Sequence, residues 1–179
     1  EHRLYLPSIG LSIAFASICI NPRNFKILIC LIPIFSAITI NRNLDWSSEY
    51  ALWLDASKKS PHKARPHLNL GRALSLMGKN KESIVHYQKA IDLNPYYFEA
   101  YHNLGVSFSL INQCDKSLAP LKKALQLNRG KVETMMTIAG CYKTLRNYET
   151  AANYLHRAIE QAPNKDYIAR ELGTIYYFN

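Results

Sequence analysis

Three stretches of 34 residues, 64–97, 98–131 and 132–165, lie end to end in this chain and align without a gap. A fixed period of this length constrains the fold strongly, because each unit buries its apolar face against its neighbours in a stacked array. Leu70, Leu104 and Ile138 are each followed by a small residue, Gly71, Gly105 and Ala139, and the same pair recurs at Leu172 and Gly173. Further along each unit come Tyr87, Leu121 and Leu155, then Ala90, Ala124 and Ala158, then Pro95, Arg129 and Pro163. Small residues where two backbones approach, a bulky apolar residue beside them and a proline at the end spell two antiparallel helices per unit. Residues 166–179 repeat the first helix as a partial fourth unit, and the array is expected to continue. The offsets also run backward: Trp53, Ala56 and Pro61 stand 34 residues before Tyr87, Ala90 and Pro95. Residues 43–63 therefore read as a half-repeat adapter helix, with Trp46, Tyr50, Trp53 and Leu54 on one face and Asp45 or Ser47 as N-cap. Two departures stand out. Arg129 and Gly130 replace the proline region after the second unit, which predicts a looser turn, and Ala139–Gly140 shifts the glycine by one position.

The pattern resembles the tetratricopeptide repeat, whose small and bulky apolar residues fall at these offsets with a period of 34. The resemblance implies an all-α solenoid whose inner wall is lined by the first helix of each unit and holds extended peptides. In such families the inward side chains sit near unit positions 2, 5, 6, 9 and 12. Here these are Arg65, Leu68, Asn69, Arg72 and Ser75, then Glu99, His102, Asn103, Val106 and Ser109, then Glu133, Met136, Thr137, Gly140 and Lys143. Of these, Arg65, Asn69, Arg72, Glu99, His102, Asn103 and Lys143 are the candidate peptide-binding residues. Asn69 and Asn103 occupy the place where a family of cytosolic O-linked N-acetylglucosamine transferases carries an asparagine ladder. An amide there donates to and accepts from a peptide main chain. Equally, asparagine tolerates a partly exposed helical position, and Thr137 interrupts the series. The carboxylate clamp of chaperone-binding relatives is excluded, since only Asn103 fits it.

A net charge of +9 raises the question of nucleic acid. Between Arg65 and Arg170, however, the basic residues are interleaved with Glu and Asp at helix-surface spacing, and no aromatic–basic motif accompanies them. The sequence therefore points away from nucleic acid and toward a solvated surface beside anionic lipid. Cys19, Cys30, Cys114 and Cys141 show no metal or redox spacing and read as small buried hydrophobes. The six histidines form no cluster of metal-ligand spacing, so neither a metal nor another cofactor is expected. No paired-carboxylate or nucleophile arrangement identifies a catalytic residue.

The first 42 residues differ in character. Residues 4–22 are charge-free, 19 positions in all, and as a helix they reach about 28 Å, close to the hydrocarbon thickness of about 30 Å. Residues 27–40 are shorter and need tilt or snorkelling by Lys26 and Arg42. Two runs without a small-residue cleavage motif disfavour a signal peptide, and a pair of transmembrane helices over 1–42 is preferred to a buried soluble hairpin. Arg23 and Lys26 in the short connection place that loop in the cytoplasm and the repeats outside it.

"EHRLYLPS", two apolar helices, "DWSSEYALWLDASKKSPHKAR" and repeats in that order resemble the junction region of the transmembrane and tetratricopeptide-repeat protein family. Glu1, Arg3, Tyr5, Pro7 and Ser8 match its membrane-surface landmark, with His2 intervening as in a bacterial relative. The resemblance implies an integral membrane protein, of the bacterial inner membrane, with repeats on the periplasmic or lumenal side. It implies an upstream part like the polytopic C-type glycosyltransferases that use lipid-phosphate-linked sugars, and makes Glu1 and Arg3 candidates for contact with such a lipid. The sequence thus reads as a membrane-anchored module, 1–42, 43–63 and 64–179, whose partners are a protein or peptide ligand and membrane lipid. The alternative is the C-terminal part of a protein O-mannosyltransferase-like enzyme whose repeats present the acceptor protein.

Overall fold

The computed structural model describes residues 13, 33–37, 40, 48–128 and 131–178. The chain divides into two compact units, Glu1–Leu52 and Trp53–Asn179. In the first, residues 13, 33–37 and 40 are helical, with Ile13, Ile34, Phe35 and Ile40 exposed. No helix among the described residues is long and apolar enough to cross a membrane. Of the spans expected over 4–22 and 27–40 only residues 13, 33–37 and 40 are described, and the lipid candidates Glu1 and Arg3 and the turn at Arg129–Gly130 lie outside the described residues.

Within residues 43–63, expected as an adapter, the structure describes one helix, α1 (Glu49–Lys59), which straddles the division between the two units. Its cap falls on Ser48 rather than on Asp45 or Ser47: the Ser48 Oγ accepts from the Ala51 backbone N–H at 3.1 Å. Seven further helices follow: α2 (Ala64–Leu76), α3 (Asn80–Leu93), α4 (Phe98–Leu110), α5 (Cys114–Leu127), α6 (Val132–Thr144), α7 (Tyr148–Gln161) and α8 (Asp166–Phe178). Each of α2 to α7 packs on the next helix in the chain, and the first helices also touch one another, α2 with α4 and α4 with α6. No strand occurs among the described residues.

The glycine columns explain the pairing. At Gly71 an added Cβ would lie 2.6 Å from the Tyr87 ring of the partner helix, and at Gly105 it would overlap Leu121. In the third pair Ala139 takes this place and is buried, while Gly140 faces open space. Around these contacts lie two clusters of buried side chains. One joins Leu68, Tyr87, Ala90 and Leu104; the other runs from Leu121 through Met135, Ile138 and Leu155 to Ile168 and Ile175.

The turn inside each pair repeats as faithfully as the packing. Gly78, Asn112 and Arg146, each at unit position 15, all take left-handed backbone at φ 76°, 58° and 59°. After each, the next N–H reaches back to close the helix: Lys79 to the Leu74 carbonyl, Gln113 to Phe108 and Asn147 to Tyr142, each at 2.9 Å. This is the Schellman closure, which satisfies carbonyls a helix end leaves unpaired.

Candidate functional site

The inward positions of the third unit converge on one groove. Glu133, Met136, Thr137, Gly140 and Lys143 of α6 line it together with Tyr167 and Glu171 of α8, with Ala139, Leu155 and Ile175 beneath. The groove holds about 520 Å³. Its walls are first helices of successive units, and the missing side chain of Gly140 leaves it open. Lys143 and Glu171 span the groove as an ion pair, Nζ to Oε2 2.8 Å, with both side chains about one-third exposed. Glu133 is exposed and lies 3.8 Å from Lys131. The Thr137 hydroxyl donates to the Glu133 carbonyl of its own helix at 2.8 Å.

The other candidates divide by what they touch. Arg65, Arg72 and Glu99 are exposed. Asn69 and Asn103 are half-buried on α2 and α4, and their amides have no hydrogen-bond partner among the described residues. His102, by contrast, is engaged: its Nδ1 lies 3.0 Å from the buried Thr134 Oγ1 on α6, and its ring stacks on Phe98. Burial pushes the His102 pKa down, against the pull of Glu133 and with a further push from Lys131. Leu68, at the same unit position, is buried. Position 5 in the first two units therefore joins one unit to the next, whereas in the third Met136 reaches the groove.

The candidate wall carries Arg65 and Arg72 in the first unit, and Glu99, Glu133 and Glu171 together with Lys143 in the later ones. The Tyr97 hydroxyl, at the foot of α4, has its pKa raised by burial and by Glu99, with Arg65 opposing. A second, smaller cavity of about 190 Å³ lies between α7 and α8, where His156 Nε2 sits 3.0 Å from the Tyr176 hydroxyl. Among the described residues no group of three or more His, Cys, Asp or Glu side chains is placed to hold a metal ion.

Sequence reasoning missed three groupings that the packing reveals. Tyr167 and Glu171 belong to the groove although they lie in the partial fourth unit. Cys141, which has no cysteine at motif spacing, has its Sγ 3.4 Å from Ser117 Oγ. His67 and His86 meet across α2 and α3. The offsets of Tyr167 and Glu171 could have been found, since they are positions 2 and 6 of their unit.

Helix pairs of constant length, with a small residue facing a bulky one and the first helices lining a wall, are tetratricopeptide repeats. The TPR repeat family matches residues 71–111, and the tetratricopeptide repeat family matches residues 132–165. Among curated proteins the chain is similar to the human protein O-mannosyl-transferase TMTC1, 34% identical over 110 residues, which cover 56% of this chain and 12% of that protein. It is also similar to the Caenorhabditis elegans protein O-mannosyl-transferase F38B6.6, 33% identical over 102 residues, covering 54% of this chain and 15% of the relative. The chain thus spans about an eighth of the length of such relatives. Among solved structures, MamA superposes with a TM-score of 0.71 at 19% identity, covering 77% of this chain and 81% of MamA. The first TPR of Spaghetti (RPAP3), solved bound to an HSP90 peptide, superposes with a TM-score of 0.63 at 23% identity, covering 65% of this chain and 92% of its own. Both likenesses establish the fold.

Proposed function

We propose that this chain is a protein-interaction module that captures extended polypeptide segments along the wall formed by α2, α4, α6 and α8. The observation that carries this reading is the groove between α6 and α8: all five inward positions of the third unit line it. Extended segments suit such walls because their main-chain groups and alternate side chains are both within reach. In this reading the unpartnered amides of Asn69 and Asn103 hydrogen-bond the captured main chain, and Arg65, Arg72, Glu99 and Lys143 select its side chains.

The test uses the open space at Gly140. Gly140→Phe projects a ring into the groove from a position where an added Cβ meets nothing within 4 Å, so binding to a displayed library of unstructured peptides should fall at least tenfold while thermal stability holds. Unchanged binding by this variant and by the Asn69→Ala/Asn103→Ala double variant refutes the reading.

A second reading rests on the relatives. The similarity to protein O-mannosyl-transferases supports a role in which the repeats present the acceptor protein to a membrane glycosyltransferase, with residues 1–42 as the anchor and the repeats on the extracytoplasmic side. Mannosyl transfer to a bound acceptor, measured in the membrane-embedded protein with and without Gly140→Phe, tests it. Equal transfer by both forms counts against acceptor presentation.

A further inference from the structure

We infer that the groove between α6 and α8 selects one aromatic side chain of the captured segment, seated in the gap that Gly140 leaves. This rests on the reading of the groove as a capture site and adds what the groove chooses. The starting point is a glycine that packing does not require. Gly140 lies inside α6, where glycine weakens a helix, and an added Cβ there meets nothing within 4 Å. The close approach of the paired helices falls instead on its neighbour, the buried Ala139. At the equivalent position, the ninth of the unit, the other first helices carry Arg72, Val106 and Thr174. The third unit alone lacks a side chain there, and what its absence keeps open is the groove.

The charges around the gap favour an uncharged guest. Each charged side chain that lines it already has a partner of opposite sign: Lys143 holds Glu171 at 2.8 Å, and Glu133 lies 3.8 Å from Lys131. The Thr137 hydroxyl is turned to its own helix. A charged guest side chain therefore competes with an existing ion pair, whereas an apolar one displaces only water. Leu155 and Ile175 form an apolar floor, and Met136 and Tyr167 stand at the walls. Tyr167 is 57% exposed and offers a ring for stacked or edge-to-face contact, while the Met136 thioether contacts aromatic rings favourably. The volume of about 520 Å³ falls within the roughly 300–1,000 Å³ of pockets that take compact ligands, so one ring fits.

The ion pair that crosses the groove serves the main chain beside that ring. Its single contact of 2.8 Å joins Lys143 Nζ to Glu171 Oε2, and an ammonium group with several hydrogens and a carboxylate with several lone pairs can each make more. Lys143 can therefore donate to a backbone carbonyl, and Glu171 accept from a backbone N–H, of an extended segment lying across the pair. The ring supplies selection and the ion pair holds the chain that carries it.

The test is selection from a displayed library of random peptides on the full chain in detergent, followed by synthesis of the strongest binder with and without its aromatic residue. The enriched peptides should share one Phe, Tyr or Trp. Changing it to alanine should weaken binding at least tenfold in the parent chain but less than threefold in Gly140→Leu, whose side chain occupies the gap. Tyr167→Ala, at an exposed position on the opposite wall, should shrink the alanine loss likewise and keeps the comparison if Gly140→Leu does not fold. A library that enriches nothing refutes peptide capture, and the aromatic pocket with it. Enriched peptides without an aromatic residue, or an alanine loss equally large in the parent chain and both variants, overturn aromatic selection and leave capture standing.

Discussion

Ser83 Oγ and Ser107 Oγ lie 3.0 Å apart inside the array, both buried and 24 residues apart in the chain. The same spacing recurs at the next unit junction, where the Cys141 thiol donates to Ser117 Oγ at 3.4 Å and Ser117 in turn donates to the Gly105 carbonyl at 2.7 Å. One junction further on the positions are Ala151 and Ile175, both buried in the apolar cluster. A single register position therefore joins consecutive units throughout, by hydroxyl pairing, then thiol to hydroxyl, then apolar packing.

The two serines should respond unequally to truncation. Ser83 also donates to the Asn80 carbonyl at 2.8 Å, whereas Ser83 is the one hydrogen-bond partner of the Ser107 hydroxyl among the described residues. Ser107→Ala should cost about 0.5–1.5 kcal/mol, the worth of one hydrogen bond, and Ser83→Ala about 1–3 kcal/mol because it strands a buried hydroxyl. The double variant should cost less than the two singles together. Urea unfolding of the three variants measures this; strictly additive values would show that the hydroxyls are not coupled.

What the sequence disclosed and what it concealed follow from distance along the chain. The helix pairs were legible because Gly71 and Tyr87, or Gly105 and Leu121, recur at a constant offset, and a repeated column marks a repeated contact. The inward positions of the third unit were legible for the same reason. His67 with His86 and Ser117 with Cys141 were not, because each pair joins different helices and occurs with that chemistry once. His102 was read as a wall residue, but its neighbour Thr134 belongs to the next unit, and no local pattern shows that hydrogen bond. Most of the two expected membrane spans falls outside the described residues, so the charge-free runs remain their support.

Glycines at adjacent unit positions should behave oppositely. Gly105→Ala drives a methyl group into Leu121, which is fully buried and has no room to retreat. A loss of about 1–3 kcal/mol, the typical toll of overpacking, is expected. Gly140→Ala sits in the middle of α6 with nothing within 4 Å of the new methyl, so helix propensity alone should raise stability by about 0.5–1 kcal/mol. Thermal unfolding of both variants checks the contrast. A destabilised Gly140→Ala would show that the third pair closes on Gly140 rather than on Ala139.

The left-handed turns should also separate by residue type. Arg146 adopts φ 59° with a bulky side chain, while Asn112 at φ 58° has a short polar side chain that tolerates this region better. Relief of left-handed strain at Arg146, roughly 1–2 kcal/mol, outweighs the added chain entropy of glycine, about 0.5–1 kcal/mol. Arg146→Gly should therefore stabilise by up to about 1 kcal/mol and Asn112→Gly should be close to neutral. Equal effects at both sites in denaturant unfolding would remove the strain argument.

Acid should weaken the junction between α4 and α6. The His102 pKa is lowered by burial in the folded chain, so the unfolded chain binds the proton more readily, and stability rises with pH wherever the two forms differ in protons bound. The full contribution of neutral His102 is present above the ordinary histidine value of about 6.5 and is lost as pH falls below it toward the depressed folded value. His102→Gln cannot titrate yet keeps an amide within reach of the Thr134 hydroxyl, so its stability should decline less between pH 7 and pH 5 than that of the parent chain. Parallel pH–stability curves for the two proteins would mean that His102 is not protonated differently in the folded and unfolded states.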